Sequence, residues 1–207
     1  AHVDQTHAFF NGTSAFLSVH GQEQSIHNVI IERPVNDTAS WFELSSTLKP
    51  VDVDAAGFGA YSAADYDELI DHPIEIGTFK RLEFLACGVK HEVVLTGDCF
   101  FDEQRVIDDL TRICEYQIKF FGVPAPVDHY VFMVMVVDVG YGGLEHRTST
   151  AWMITRENLP IAGEEKISDK YLDFLGRCSH EYFHTWNIKR IKPAQFVPFD
   201  LTAESYT

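Results

Sequence analysis

The segment from Ser168 to Asn187 (SDKYLDFLGRCSHEYFHTWN) carries two helical patterns at once, and any fold of this chain has to satisfy both. Leu172, Leu175, Cys178 or Ser179, Tyr182 or Phe183, and Trp186 recur as an apolar stripe, with Ser168 placed as N-cap and Asp169 in the first turn. Such a stripe has to lie against a core. A second face carries Gly176, His180, His184 and Asn187, where the small Gly176 leaves room beside the imidazoles. Residues four apart on a helix share a face, so His180 and His184 can direct two imidazoles at one metal ion. Glu181, about 100° round the axis, then comes within reach of a water molecule there. The bland reading of the same string is two surface or core histidines beside an apolar pair. The sharper one is the zinc site of a metallopeptidase, with His180 and His184 as ligands and Glu181 as general base.

Composition narrows the class. At 207 residues and 45% hydrophobic content the chain can bury a sizeable core in one large or two small domains. The longest apolar stretch, Tyr130 to Val137 (YVFMVMVV), has the length of a strand and falls far short of the roughly 18 residues of a membrane span. A net charge of −15 argues against nucleic acid or an anionic membrane as partner, because phosphate binding needs a surplus of Lys and Arg. It favours a soluble protein, and it could help attract a substrate with a free amino terminus. Cys87, Cys99, Cys114 and Cys178 form no C-x-x-C pair and no zinc-site spacing. They read as small core residues, with a cytoplasmic location preferred over a periplasmic or secreted one. Ala1 to Ser14 has neither the basic leader nor the apolar stretch of a signal peptide, and the absence of an initial Met suits a trimmed or mature form. The triplets Asn11-Gly12-Thr13 and Asn36-Asp37-Thr38 match glycosylation sequons but carry no weight, because such triplets are common by chance.

In chain order, residues 15–20, 25–32 and 41–48 are rich in β-branched and aromatic positions and read as strands of an N-terminal β-sheet domain, residues 1–70, incomplete at its start. Residues 51–77 read as a connection with a short helix over 63–70. From residue 71 the expectation is an α+β arrangement: strands over 78–85 and 90–96 with a turn at Gly88, an amphipathic helix over 102–121, a buried strand over 130–139, a glycine turn, a strand over 149–154, and the motif helix.

Gly142-Gly143-Leu144-Glu145-His146 forms a second constellation. Glycines let a backbone approach a ligand, an edge strand can pair with an extended peptide, and Glu145 could receive that peptide's amino terminus. A Gly-Gly turn followed by a solvent-facing Glu explains the same residues. Lys189, Arg190 and Lys192 make a basic cluster that either pairs with carboxylates or lies solvated.

Together, YGGLEHRTST, HEYFHTWNIKRIKP and PFDLTAESYT, with FFNGTSAFL at 9–17 and DYDELIDHPIEIG at 65–77, resemble the glycyl aminopeptidase family of metallopeptidases. The resemblance implies an N-terminal β-domain, a thermolysin-like zinc peptidase domain whose first part is residues 71–207, and a PDZ domain downstream. It implies Zn2+ held by His180 and His184, Glu181 as general base, and Gly142, Gly143 and Glu145 as an exopeptidase motif whose Glu binds the substrate's amino group. The substrate would be a peptide or protein with a free N-terminus, and small residues such as Gly or Ala the ones removed. A site of this class needs a third protein ligand. The resemblance implies a Glu beyond residue 207; Glu204, with thermolysin-type spacing from His184, is the alternative within the chain. The rival readings are an endopeptidase on the same scaffold and a non-catalytic peptide-binding module.

Overall fold

A computed structural model describes residues 1–34, 43–197 and 204. In chain order the strands are β1 (His2–Val3), β2 (His7–Phe10), β3 (His27–Ile31), β4 (Glu43–Ser45), β5 (Lys49–Val53) and β6 (Gly59–Ala63). Helix α1 (Tyr66–Ile70) and strands β7 (Ile74–Gly77), β8 (Lys80–Ala86) and β9 (Val89–Thr96) follow. Then come α2 (Glu103–Phe121), β10 (His129–Val137), β11 (Gly142–Glu145), β12 (Ser149–Thr155) and α3 (Asp169–Phe183). The fold is α+β with an N-terminal β-region. Its strands make two small sheets, β1-β2-β7-β4 and β3-β6-β5, both antiparallel throughout. A third, mixed sheet has the order β11-β12-β10-β9-β8.

The mixed sheet explains the longest apolar run. β10 pairs in parallel with both β9 and β12, so it is central. Tyr130, Phe132, Val134 and Val136 join the core formed with α2 and α3, while Val131 and Met133 pack with Val94 and Ala151 on the opposite face, against Phe9 of β2 and Phe79. A strand covered on both faces needs no polar alternation, which is why this one reads as continuous hydrophobic sequence. α2 contributes Val106, Leu110, Cys114 and Ile118 to the core. Its N-cap Asp102 accepts from Arg105 N, and Gly122 ends it with φ 104°.

α3 begins where expected, with Ser168 accepting from Tyr171 N, but it ends at Phe183, short of the expected Asn187, and the first half of its buried stripe is turned by one residue. Tyr171, Phe174, Cys178, Tyr182 and Trp186 face the core, whereas Leu172 is exposed. Tyr171 can bury because its hydroxyl donates to Asp109 at 2.9 Å, and the apolar ring then outcompetes Leu172 for the interior. The cysteines Cys114 and Cys178 are buried side chains of the same core.

Two strand expectations fail. Residues 15–20 form no strand: Leu17 and Val19 are exposed, a short 3-10 turn occupies Gly12–Ser14, and the alternation buries nothing. Residues 51–77 are no mere connection. They hold most of β5 and all of β6, α1 and β7, with α1 starting at Tyr66 rather than at 63 and capped by Asp65. Every residue of β5 is exposed, so no burial pattern marks it, and Gly59 lies so close to the Asp52 carbonyl that a side chain would collide with it. Strand β4 is shorter than the expected 41–48, of which Trp41 and Phe42 lie outside the described residues, as does Asn36-Asp37-Thr38. Among the described residues, no helix is long and apolar enough to cross a membrane.

Candidate active site

The first sheet edge and the end of α3 bring the two sequence constellations together. β11 is no turn but an edge strand, antiparallel to β12, with Glu145 opposite Thr150 and Gly143 opposite Trp152. One carboxylate oxygen from each of Glu145 and Glu181 and one ring nitrogen of His184 lie within 4.8 Å of one another. His184 and both carboxylates are half-buried, and His180 is exposed. The Nε2 atoms of His180 and His184 stand 3.1 Å apart.

His184 is oriented from behind. It is the C-cap of α3, and its Nδ1 lies 2.8 Å from the backbone oxygen of Asn187. A carbonyl only accepts, so Nδ1 carries the proton and the neutral ring keeps its lone pair on Nε2, the atom that faces His180. Asn187 therefore acts through its backbone. Trp186 stacks on Phe121 with centroids 4.7 Å apart, and this anchors the turn that supplies the carbonyl.

Glu181 is held from the sheet. The Thr150 hydroxyl lies 3.3 Å from Glu181 Oε2 and 3.1 Å from the backbone oxygen of Leu144, so one buried side chain connects the helix carboxylate to the edge strand. Gly143 completes the wall: a Cβ there would come 3.3 Å from both Glu181 Oε1 and Trp152 Cβ. Gly142 has φ 152°, a backbone conformation that side chains disfavour. Open space surrounds Gly176 on the face of α3 that carries the histidines.

Residues 1–78 match the Peptidase M61 N-terminal domain, and residues 173–207, which begin inside α3, match M61 glycyl aminopeptidase. The chain belongs to the M61 glycyl aminopeptidase family. The fold is also that of the crystal structure of a protein described as an aminopeptidase N family protein from Idiomarina loihiensis, at 41% identity and a TM-score of 0.92. The match covers 100% of this M61 chain and 35% of that protein, so the chain spans about a third of its relative's length. No curated protein matches the chain.

Asp71, which follows α1, ties the M61 N-terminal region to both halves of the site; it lies in the family-like segment at 65–77, but nothing marked it as a site residue. It accepts from Arg147 N at 2.9 Å and from Lys189 Nζ at 3.1 Å, and its carboxylate lies 3.5 Å from His146 Nδ1. Burial alone would raise its pKa, but His146, the Lys189 charge and the Arg147 N–H outweigh it and hold the carboxyl well below the usual range. Of the basic cluster, Lys189 thus pairs with a carboxylate, while Arg190 donates to the backbone oxygens of Thr185, Arg147 and Pro126. Glu204 is exposed and joins none of the groupings of three or more possible metal donors among the described residues. Most of the segment PFDLTAESYT lies outside the described residues.

Proposed function

We propose that the protein is a zinc metallopeptidase acting as an aminopeptidase, with a catalytic unit that begins after β7 and packs against the N-terminal β-unit, which includes β7 and so extends past the expected limit of residue 70. The supporting observation is the 3.1 Å separation of the two Nε2 atoms beside the Glu145 and Glu181 carboxylates. Two nitrogens bound to zinc at about 2.0–2.1 Å with tetrahedral angles stand roughly 3.3 Å apart, so the donor set fits the ion. The hydrogen bond from His184 Nδ1 to Asn187 O is the outer contact that a ligating histidine uses to fix its tautomer. His180 and His184 would hold the ion, with a third carboxylate ligand beyond residue 207. Zinc bound there supplies a Lewis acid that polarises the scissile carbonyl and brings the pKa of water down to about 7.

The chain's own groups divide the rest of the work. Glu181 takes the proton of the attacking water and delivers it to the leaving amine. Thr150 holds that carboxylate in place. The edge of β11 pairs with an extended peptide, Gly142 and Gly143 allow the close approach, and Glu145 accepts the ammonium of the peptide's first residue. Small first residues, Gly or Ala, are the proposed preference.

Zinc content and peptide hydrolysis, measured on this chain and on a form extended past Thr207, test the reading. Glu181→Gln should keep zinc and lose roughly 100- to 10,000-fold in kcat. Acetylating the amino terminus of the peptide should abolish turnover. Unimpaired cleavage of the blocked peptide would indicate an endopeptidase instead, and absence of zinc from both forms would leave a non-catalytic peptide-binding module.

A further inference from the structure

We infer a second metal site, for a divalent transition ion of the Zn2+ and Ni2+ class, on the N-terminal hairpin at His2, Asp4 and His7. It goes beyond the peptidase reading and uses none of that site's residues. One donor atom from each of the three side chains lies within 4.8 Å of the other two. His2 Nε2 is 3.0 Å from Asp4 Oδ2, and His7 Nδ1 is 4.0 Å from the same oxygen. These separations bracket the roughly 3.3 Å edge of a tetrahedral site. Two imidazoles and one carboxylate suit zinc and its neighbours better than the all-oxygen preference of calcium or magnesium.

The bland account of Asp4 is that it caps the hairpin. Its Oδ1 does so, accepting from Thr6 N at 2.6 Å, from Thr6 Oγ1 at 2.7 Å and from His7 N at 3.0 Å. That leaves Oδ2 turned to the two histidines, a role that capping does not require.

A second observation lies on the buried side of His7. The His7 side chain is 7% exposed, and its Nε2 makes no hydrogen bond, although Oε1 of Glu75, also buried and also unpartnered, stands 3.7 Å away. Two unsatisfied polar atoms facing each other in an interior are costly. A cation on Nδ1 resolves both, because it fixes the neutral tautomer with its proton on Nε2, which then donates to Glu75. The carboxylate behind a ligating histidine is the common outer arrangement of metal sites. Here His7 has a carboxyl group on each side: one exposed, to share the ion, and one buried, to orient the ring.

Zn2+ titration by calorimetry, on the full chain carrying His180→Ala and His184→Ala, tests the site apart from the peptidase centre. One Zn2+ per chain should still bind. Adding His2→Ala, an exposed substitution that leaves the hairpin capped, should weaken binding at least tenfold, and Glu75→Gln should weaken it about 10- to 100-fold with all three ligands intact. No Zn2+ bound in the His180→Ala, His184→Ala protein, or binding indifferent to His2→Ala, would overturn the inference. Failure of the peptidase reading would show separately, as identical stoichiometry in the wild type and the His180→Ala, His184→Ala protein when both are extended past Thr207.

Discussion

Gly143 stands directly against the Glu181 carboxylate: a Cβ on it would lie 3.3 Å from Oε1, with Trp152 Cβ as close on its other side. Neither neighbour yields freely, since Trp152 belongs to the core and Glu181 is held by Thr150. Gly143→Ala should therefore displace the carboxylate by a few tenths of an ångström and lower kcat by about 10- to 100-fold, because small misplacements of a catalytic group are costly. The strand is at a sheet edge, so the melting temperature should shift by no more than a few degrees. Unchanged kinetics in a folded Gly143→Ala protein would remove Gly143 from the account.

Thr150 makes a sharper case, because it was invisible beforehand. Its hydroxyl has one proton to share between Glu181 Oε2 and Leu144 O, and its side chain is fully buried. Thr150→Val keeps the shape and removes the donor. The expected result is a several-fold to tenfold drop in kcat with KM nearly unchanged, because the carboxylate has lost the hydroxyl that positions it. Thr150→Ser should restore most of the rate. A drop in stability with kcat unchanged would make Thr150 a packing residue only.

The parts of the site that were legible are those whose chemistry is local in the chain. His180 and Glu181 sit in the last turn of one helix and His184 caps it in helical conformation, so helical periodicity alone puts them in reach of one another. The glycines and Glu145 were recognisable as a backbone-approach motif, although the sequence on its own favoured a turn, and only the pairing of β11 with β12 makes it a strand. Thr150 and Asp71 were not legible, since each acts across long separations in sequence and belongs to a residue type that is common on strands and helix ends. The fold divides along the same line. β10 and α2 announce themselves by burial pattern, whereas β5 is exposed along its whole length and leaves no pattern to read. Leu172 misled because Tyr171 can bury only with the help of Asp109, 62 residues away in sequence.

Asp71 is the next residue to change. It joins the segment after α1 to Arg147 beside β11 and to Lys189 beyond α3, so its loss frees a half-buried ammonium and the turn that carries Glu145. Asp71→Ala should destabilise the protein by roughly 2–4 kcal/mol, somewhat less than the roughly 3–5 kcal/mol for removing one partner of a fully buried pair, because Lys189 is partly solvated. It should also raise KM more than it lowers kcat, since it loosens the strand proposed to receive the peptide rather than the proposed base. Urea unfolding and steady-state kinetics on one preparation read both. A stable protein with unaltered KM would mean that Asp71 couples nothing to the site.

Glu92 predicts how stability follows pH. It lies on β9 among Lys90, Arg81 and His129, with its side chain 5% exposed. Burial alone would raise its pKa, but His129, Lys90 and Arg81 outweigh burial and lower it from 4.5 to about 2. A carboxyl depressed in the fold releases its proton more readily folded than unfolded. Its contribution is therefore complete above about pH 5 and is lost as pH falls from there towards 2. The span corresponds to at most roughly 2–3 kcal/mol, since Lys90 and Arg81 are partly solvated. Urea denaturation of the wild type should show midpoints falling through this window. Glu92→Gln should start lower at pH 7 and decline less steeply between pH 5 and 3. Parallel curves for the two proteins would show that the charges around Glu92 do not stabilise the fold.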